Sequence, residues 1–78
     1  MQNRDLVERL LEEQKTERNH QLNFIKRLRN TYDVLNEQGW KHLTPLVELI
    51  ATWEQNLSIV ETEIKTLENI LKDIGKDQ

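Results

Sequence analysis

The apolar positions of residues 46–74 recur with one spacing. Leu46, Ile50, Trp53, Leu57, Val60, Ile64, Leu67, Leu71 and Ile74 follow one another at alternating steps of four and three, with no polar residue breaking the series. An average step near 3.5 draws a straight apolar stripe along a helix, so the spacing predicts a coiled-coil-like seam. Ile50, Leu57, Ile64 and Leu71 take the a positions of its heptads, and Leu46, Trp53, Val60, Leu67 and Ile74 the d positions. Trp53 is too large for a tight two-stranded seam and points to a wider bundle. Val47 at e, Leu49 and Ile70 at g, and Ile59 at c fall outside the seam. A stripe that broad suits a helix with two neighbours.

The first half of the chain is less regular. Leu6, Val7, Leu10 and Leu11 make one apolar patch, and Leu22, Phe24, Ile25, Leu28, Tyr32, Val34 and Leu35 make another. Between them residues 12–21 are polar throughout, and the seam is expected to cross them near Gln14, Glu17 and Gln21. Neither Gly nor Pro interrupts this stretch, so one continuous helix is expected.

Punctuation falls at the centre. Gly39 suits the left-handed residue that closes a helix, and Thr44-Pro45 suits an N-cap followed by proline at the first helical position. A single domain over residues 1–78 is expected, with a helix over 3–38, a turn at 39–43 and a helix over 44–75 closed by Gly75. At 1.5 Å per residue the helices span roughly 54 and 48 Å. So short a link makes them fold back as an antiparallel hairpin.

Folding about residues 40–41 pairs positions whose numbers sum to about 81. Leu35 then faces Leu46, Leu28 faces Trp53, Phe24 lies near Leu57, and Val7 lies near Ile74. Gln14 faces Leu67, and Glu17 faces Ile64. Charge favours the same direction. Residues 14–32 hold five cations against one anion (+4), and residues 48–70 hold one cation against five anions (−4). Exposed pairs of this kind are worth ~0–1 kcal/mol each, so they select the partner and its direction more than they stabilise it.

The expected class is therefore all-α, a long antiparallel helical hairpin. Two helices cover only the facing stripe of each other, so the surplus apolar positions call for a second hairpin or another helical protein. A two-fold dimer forming a four-helix bundle is the simplest closed solution.

Composition narrows the chemistry. The chain has no cysteine, which removes disulfides, zinc–thiolate sites and cysteine nucleophiles. Its net charge of −3 gives no general attraction to nucleic acid or a lipid surface. No run approaches the roughly 20 apolar residues of a membrane span. The N-terminus lacks a secretory pattern, and a cytoplasmic location is expected. Glu17 and His20 form a Glu-x-x-His pair with Glu13 one turn earlier, but di-metal bundles need two such motifs and further glutamates. The plainer reading is a solvated polar face. His42 has no nucleophile beside it, and Ser58 is the only serine. The expectation is a non-enzyme without cofactor or metal.

Protein binding remains, as a small adaptor, chaperone or inhibitor acting through helical surface and self-association, with a homodimer as the expected oligomer. The expected interface residues are Leu6, Leu10, Trp40, Leu43, Val47, Leu49, Trp53, Ile59 and Ile70. Trp40 and Leu43 stand out because they place large apolar groups in the turn, where tryptophan serves as a binding anchor. The alternative is a helical dimer binding nucleic acid through a basic strip of Lys15, Arg18, Lys26, Arg27 and Arg29. The plainer reading of that strip is pairing with glutamates of the second helix.

Overall fold

The structure, a computed structural model, describes residues 3–76 as two helices, α1 (Asn3–Glu37) and α2 (Thr44–Lys76), joined by a short turn. They lie side by side as a rod 61 Å long and 14 Å across. A globular chain of this length has a radius of gyration of about 11–12 Å; this hairpin has 17.9 Å. α1 runs unbroken through the polar stretch, as the lack of Gly and Pro there predicts.

The turn forms through the backbone. The Trp40 N–H donates to the Leu35 carbonyl, and the Gly39 N–H to the Asn36 carbonyl, both at 3.1 Å. These are the paired bonds of a Schellman closure, which requires a left-handed residue after the last turn. Gly39 supplies it with φ of 86°. The start of α2 differs from expectation. The Val47 N–H donates to the Leu43 carbonyl at 3.0 Å, so Leu43 occupies the capping position, Thr44 is the first helical residue and Pro45 the second. The missing N–H of Pro45 still falls among the first four, which have no partner inside a helix. Gly75 does not close α2. It keeps an ordinary helical conformation, and the helix runs on to Lys76.

The interior is one layer thick. Leu11, Ile25, Leu28, Val60 and Ile64 are its buried apolar residues, and no described side chain is fully enclosed. Leu11, Val60 and Ile64 form the central cluster, with Leu67 and Leu71 packed on it. Continuing from Leu11 to Ile25 at alternating steps of three and four, the inner row of α1 passes through Gln14, Arg18 and Gln21. Gln21 is buried, Gln14 and Arg18 are half-buried, and Glu17 is exposed. The expected Glu17 seam position is thus occupied by Arg18, which borders the same groove as Ile64. The phase is fixed by burial of Leu11 and Ile25 at either end. Ile64 is the most buried residue, 4% exposed, although it faces the polar stretch. Long polar side chains account for this, because their aliphatic stems cover apolar surface while their heads reach water.

The antiparallel register holds, with contacts spread over one helical turn. Phe24 meets Trp53 edge to face with centroids 4.6 Å apart, one turn nearer the hairpin tip than its expected neighbour Leu57. Gln14 donates to Glu63 at 2.7 Å, and Arg29 pairs with Glu54.

Two substitutions test the fold. Gly39→Ala meets no neighbouring atom, so its cost is the backbone's alone, about 1–2 kcal/mol, read from urea unfolding followed by circular dichroism. Ile64→Ala in the same assay should lose about 2–3 kcal/mol, at the low end for buried isoleucine because the layer is thin.

Candidate functional site

The chain offers surface, not a cleft. The inner rows consume one face of each helix, and the remaining positions divide between two flanks of the rod. Contacts identify the flanks. Arg29 and Glu54 meet on one, where Arg29, Asp33, Val47 and Ala51 border a common groove. Arg18, Glu61, Lys65 and Glu68 border a second groove along that flank. It is charged, and both signs are present.

The opposite flank is different. Gln14 reaches Glu63 there, and Leu10 and Thr66 border the same groove. From Leu10, steps of three and four along α1 give Glu13, Glu17, His20, Phe24, Arg27, Thr31 and Val34, with Leu6 one turn before. The Arg27 guanidinium lies 5.3 Å over the Phe24 ring, which ties these two residues together. The matching row of α2 is Leu49, Thr52, Asn56, Ile59, Glu63, Thr66 and Ile70. Leu6, Leu10, Val34, Leu49, Ile59 and Ile70 are all exposed. This flank therefore collects most of the large apolar side chains that the hairpin leaves in water.

The expected interface residues distribute as follows. Leu6, Leu10, Leu49, Ile59 and Ile70 share the apolar flank. Val47 is exposed on the charged one, beside the groove of Arg29. Trp53 is half-buried in the inner row against Phe24, and Leu43, the capping residue of α2, is also half-buried. Trp40 is 61% exposed, the most exposed of the large apolar residues; it does not fold down as a lid over the helices. Val34 and Leu22, members of the second apolar patch of α1, are also exposed. The phase of the α1 row, fixed by Leu11 and Ile25, is the signal that excludes both from the interior.

The basic residues divide between the flanks, with Arg18 and Arg29 on the charged one and Arg27 on the apolar one. Lys15 and Arg18 are half-buried, Arg29 is paired with Glu54, and Arg27 lies on the apolar flank. Lys26 is exposed. Glu13, Glu17 and His20 line the apolar flank of α1, and among the described residues no group of three or more His, Asp or Glu side chains is placed to hold an ion. No described helix is long and apolar enough to cross a membrane.

Among the described residues Gln21 is the one buried polar side chain, 7% exposed. Its amide nitrogen donates to Glu17 at 3.0 Å, while its carbonyl oxygen has no partner. A buried unpaired carbonyl is costly, so Gln21→Leu should raise the unfolding free energy by about 1 kcal/mol or more, measured as a shift in urea midpoint at unchanged slope. Protein-family models, characterised proteins and solved structures yield no match to this chain.

Proposed function

We propose that the protein is a non-enzymatic protein-binding module that acts through helical surface, and that it associates with itself into a four-helix bundle. The observation that carries this reading is the apolar flank, six large aliphatic side chains exposed along one side of a rod whose other side is charged. Scattered single exposures are ordinary; alignment on one flank marks an interaction surface. The exposed area supports it. A globular monomer of this mass exposes roughly 5,000 Å², whereas the hairpin exposes 6146 Å². A second hairpin on the apolar flank converts one layer into two and gives these side chains an interior. In such an assembly the module serves as an adaptor, chaperone or inhibitor, with the tip residue Trp40 and the charged flank left open to other proteins.

Sedimentation equilibrium across a wide concentration range tests the reading. The expected mass is about twice the 9.4 kDa of the chain, with helix content falling on dilution as dimers separate. A fully helical species of single-chain mass at every concentration overturns it.

A further inference from the structure

The apolar flank carries a pattern that specifies how two hairpins meet. This inference rests on the self-association just proposed and adds the docking mode. The six exposed aliphatic side chains do not form a continuous stripe. Leu6, Leu10 and Ile70 cluster at the end remote from the turn, Ile59 stands near the middle of α2, and Val34 and Leu49 cluster near the turn. From Leu49 to Ile59 is ten residues and from Ile59 to Ile70 eleven, which along a helix is about 15 and 16.5 Å. The outer clusters are therefore nearly equidistant from Ile59. A two-fold axis passing through Ile59, perpendicular to the rod, lays the turn-proximal cluster of one copy on the remote cluster of the other.

Charge between the clusters distinguishes this arrangement from its reverse. On the remote half the flank carries Glu13, Glu17 and Glu63; on the half nearer the turn it carries Arg27 among the uncharged Thr31, Thr52 and Asn56. Parallel docking sets the three carboxylates against their own copies, which opposes association. Antiparallel docking sets Arg27 of each copy at the level of Glu17 and Glu63 of the other. Size is also sufficient. A face 61 Å by 14 Å presents on the order of 850 Å², close to the roughly 800 Å² per partner of a standard interface. The opposite flank has less to offer a second copy, since its Arg29 and Glu54 are already paired within the hairpin.

We propose that the flank bearing Leu49, Ile59 and Ile70 is the contact between two copies of this chain, docked antiparallel about a two-fold axis at Ile59. The contact is isologous, so each copy gives and receives the same residues.

The natural chain has no cysteine, which makes disulfide trapping unambiguous. Leu49→Cys, Ile59→Cys, Ile70→Cys and Val47→Cys are prepared separately; all four positions are exposed, and circular dichroism verifies that each variant keeps its helix. Under mild oxidation Ile59→Cys should cross-link to itself, and an equimolar mixture of Leu49→Cys and Ile70→Cys should give the mixed species. Leu49→Cys alone, Ile70→Cys alone and Val47→Cys alone should remain essentially single chains. Leu49–Leu49 and Ile70–Ile70 products would indicate parallel docking, and efficient trapping through Val47→Cys would indicate the other flank; either overturns the proposal. Sedimentation of the unmodified chain separates the two levels. A dimer with the wrong cross-links removes only this docking mode, whereas a monomer removes self-association as well. As a second variant, Arg27→Glu should weaken the dimer at least about tenfold, or 1.4 kcal/mol, at unchanged helix content. An unchanged dissociation constant counts against the antiparallel charge pairing.

Discussion

A helix buries one face against one neighbour, and this protein has two helices. Everything else follows from that restriction. The two inner rows meet in a single layer, so no described side chain is fully enclosed and the rod stays long and thin. Helices of 35 and 33 residues cannot shorten that layer without breaking, and neither Gly nor Pro interrupts the inner row of either helix before Gly75. The buried part of that layer is small, Leu11, Val60 and Ile64 with Leu67 and Leu71 around them, and Ile25 and Leu28 nearer the turn.

The polar stretch of α1 adapts to this layer rather than interrupting it. Gln14, Arg18 and Gln21 occupy inner positions where a more stable core would place leucine. Arg18 borders the same groove as Ile64, Gln14 turns outward to Glu63, and Gln21 is held by Glu17 on one side only. Such residues weaken the layer, because their polar heads must keep a partner or water. The Arg29–Glu54 pair contributes little to stability as well. It is partly exposed and adds little energy, but it belongs to an opposition of +4 against −4 that the pairing of the two helices satisfies.

The flanks then diverge. One carries charges of both signs, with Arg29 paired to Glu54 across the hairpin. The other exposes aliphatic groups in three clusters with carboxylates between the outer two on one half and a guanidinium on the other. A side chain such as Ile59, central on that flank and exposed, has no role in the hairpin itself. The proposed self-association would give it an interior.

Much of this was legible in residue order alone. The unbroken 4-3 series from Leu46 to Ile74 dictates a long helix and its inner row, since period is a local property of sequence. Gly39 fixes the stop of α1 because the closing residue must be left-handed, and the short link to α2 fixes the antiparallel direction. Other features required the two helices to be in contact. The inner row of α1 passes through Arg18 and not Glu17 because Leu11 and Ile25 set its phase from either side of ten polar residues. Leu43 rather than Thr44 caps α2, since backbone closure and not side-chain preference decided the first turn. The helix continues through Gly75, where nothing demands a left-handed residue. Val34 and Leu22 look interior in sequence and are exposed in the hairpin. Above all, the alignment of Leu6, Leu10 and Val34 with Leu49, Ile59 and Ile70 on one flank is a relation between two segments. Local periodicity places a residue on a face of its own helix, but only the packing of one helix against the other decides which faces become neighbours.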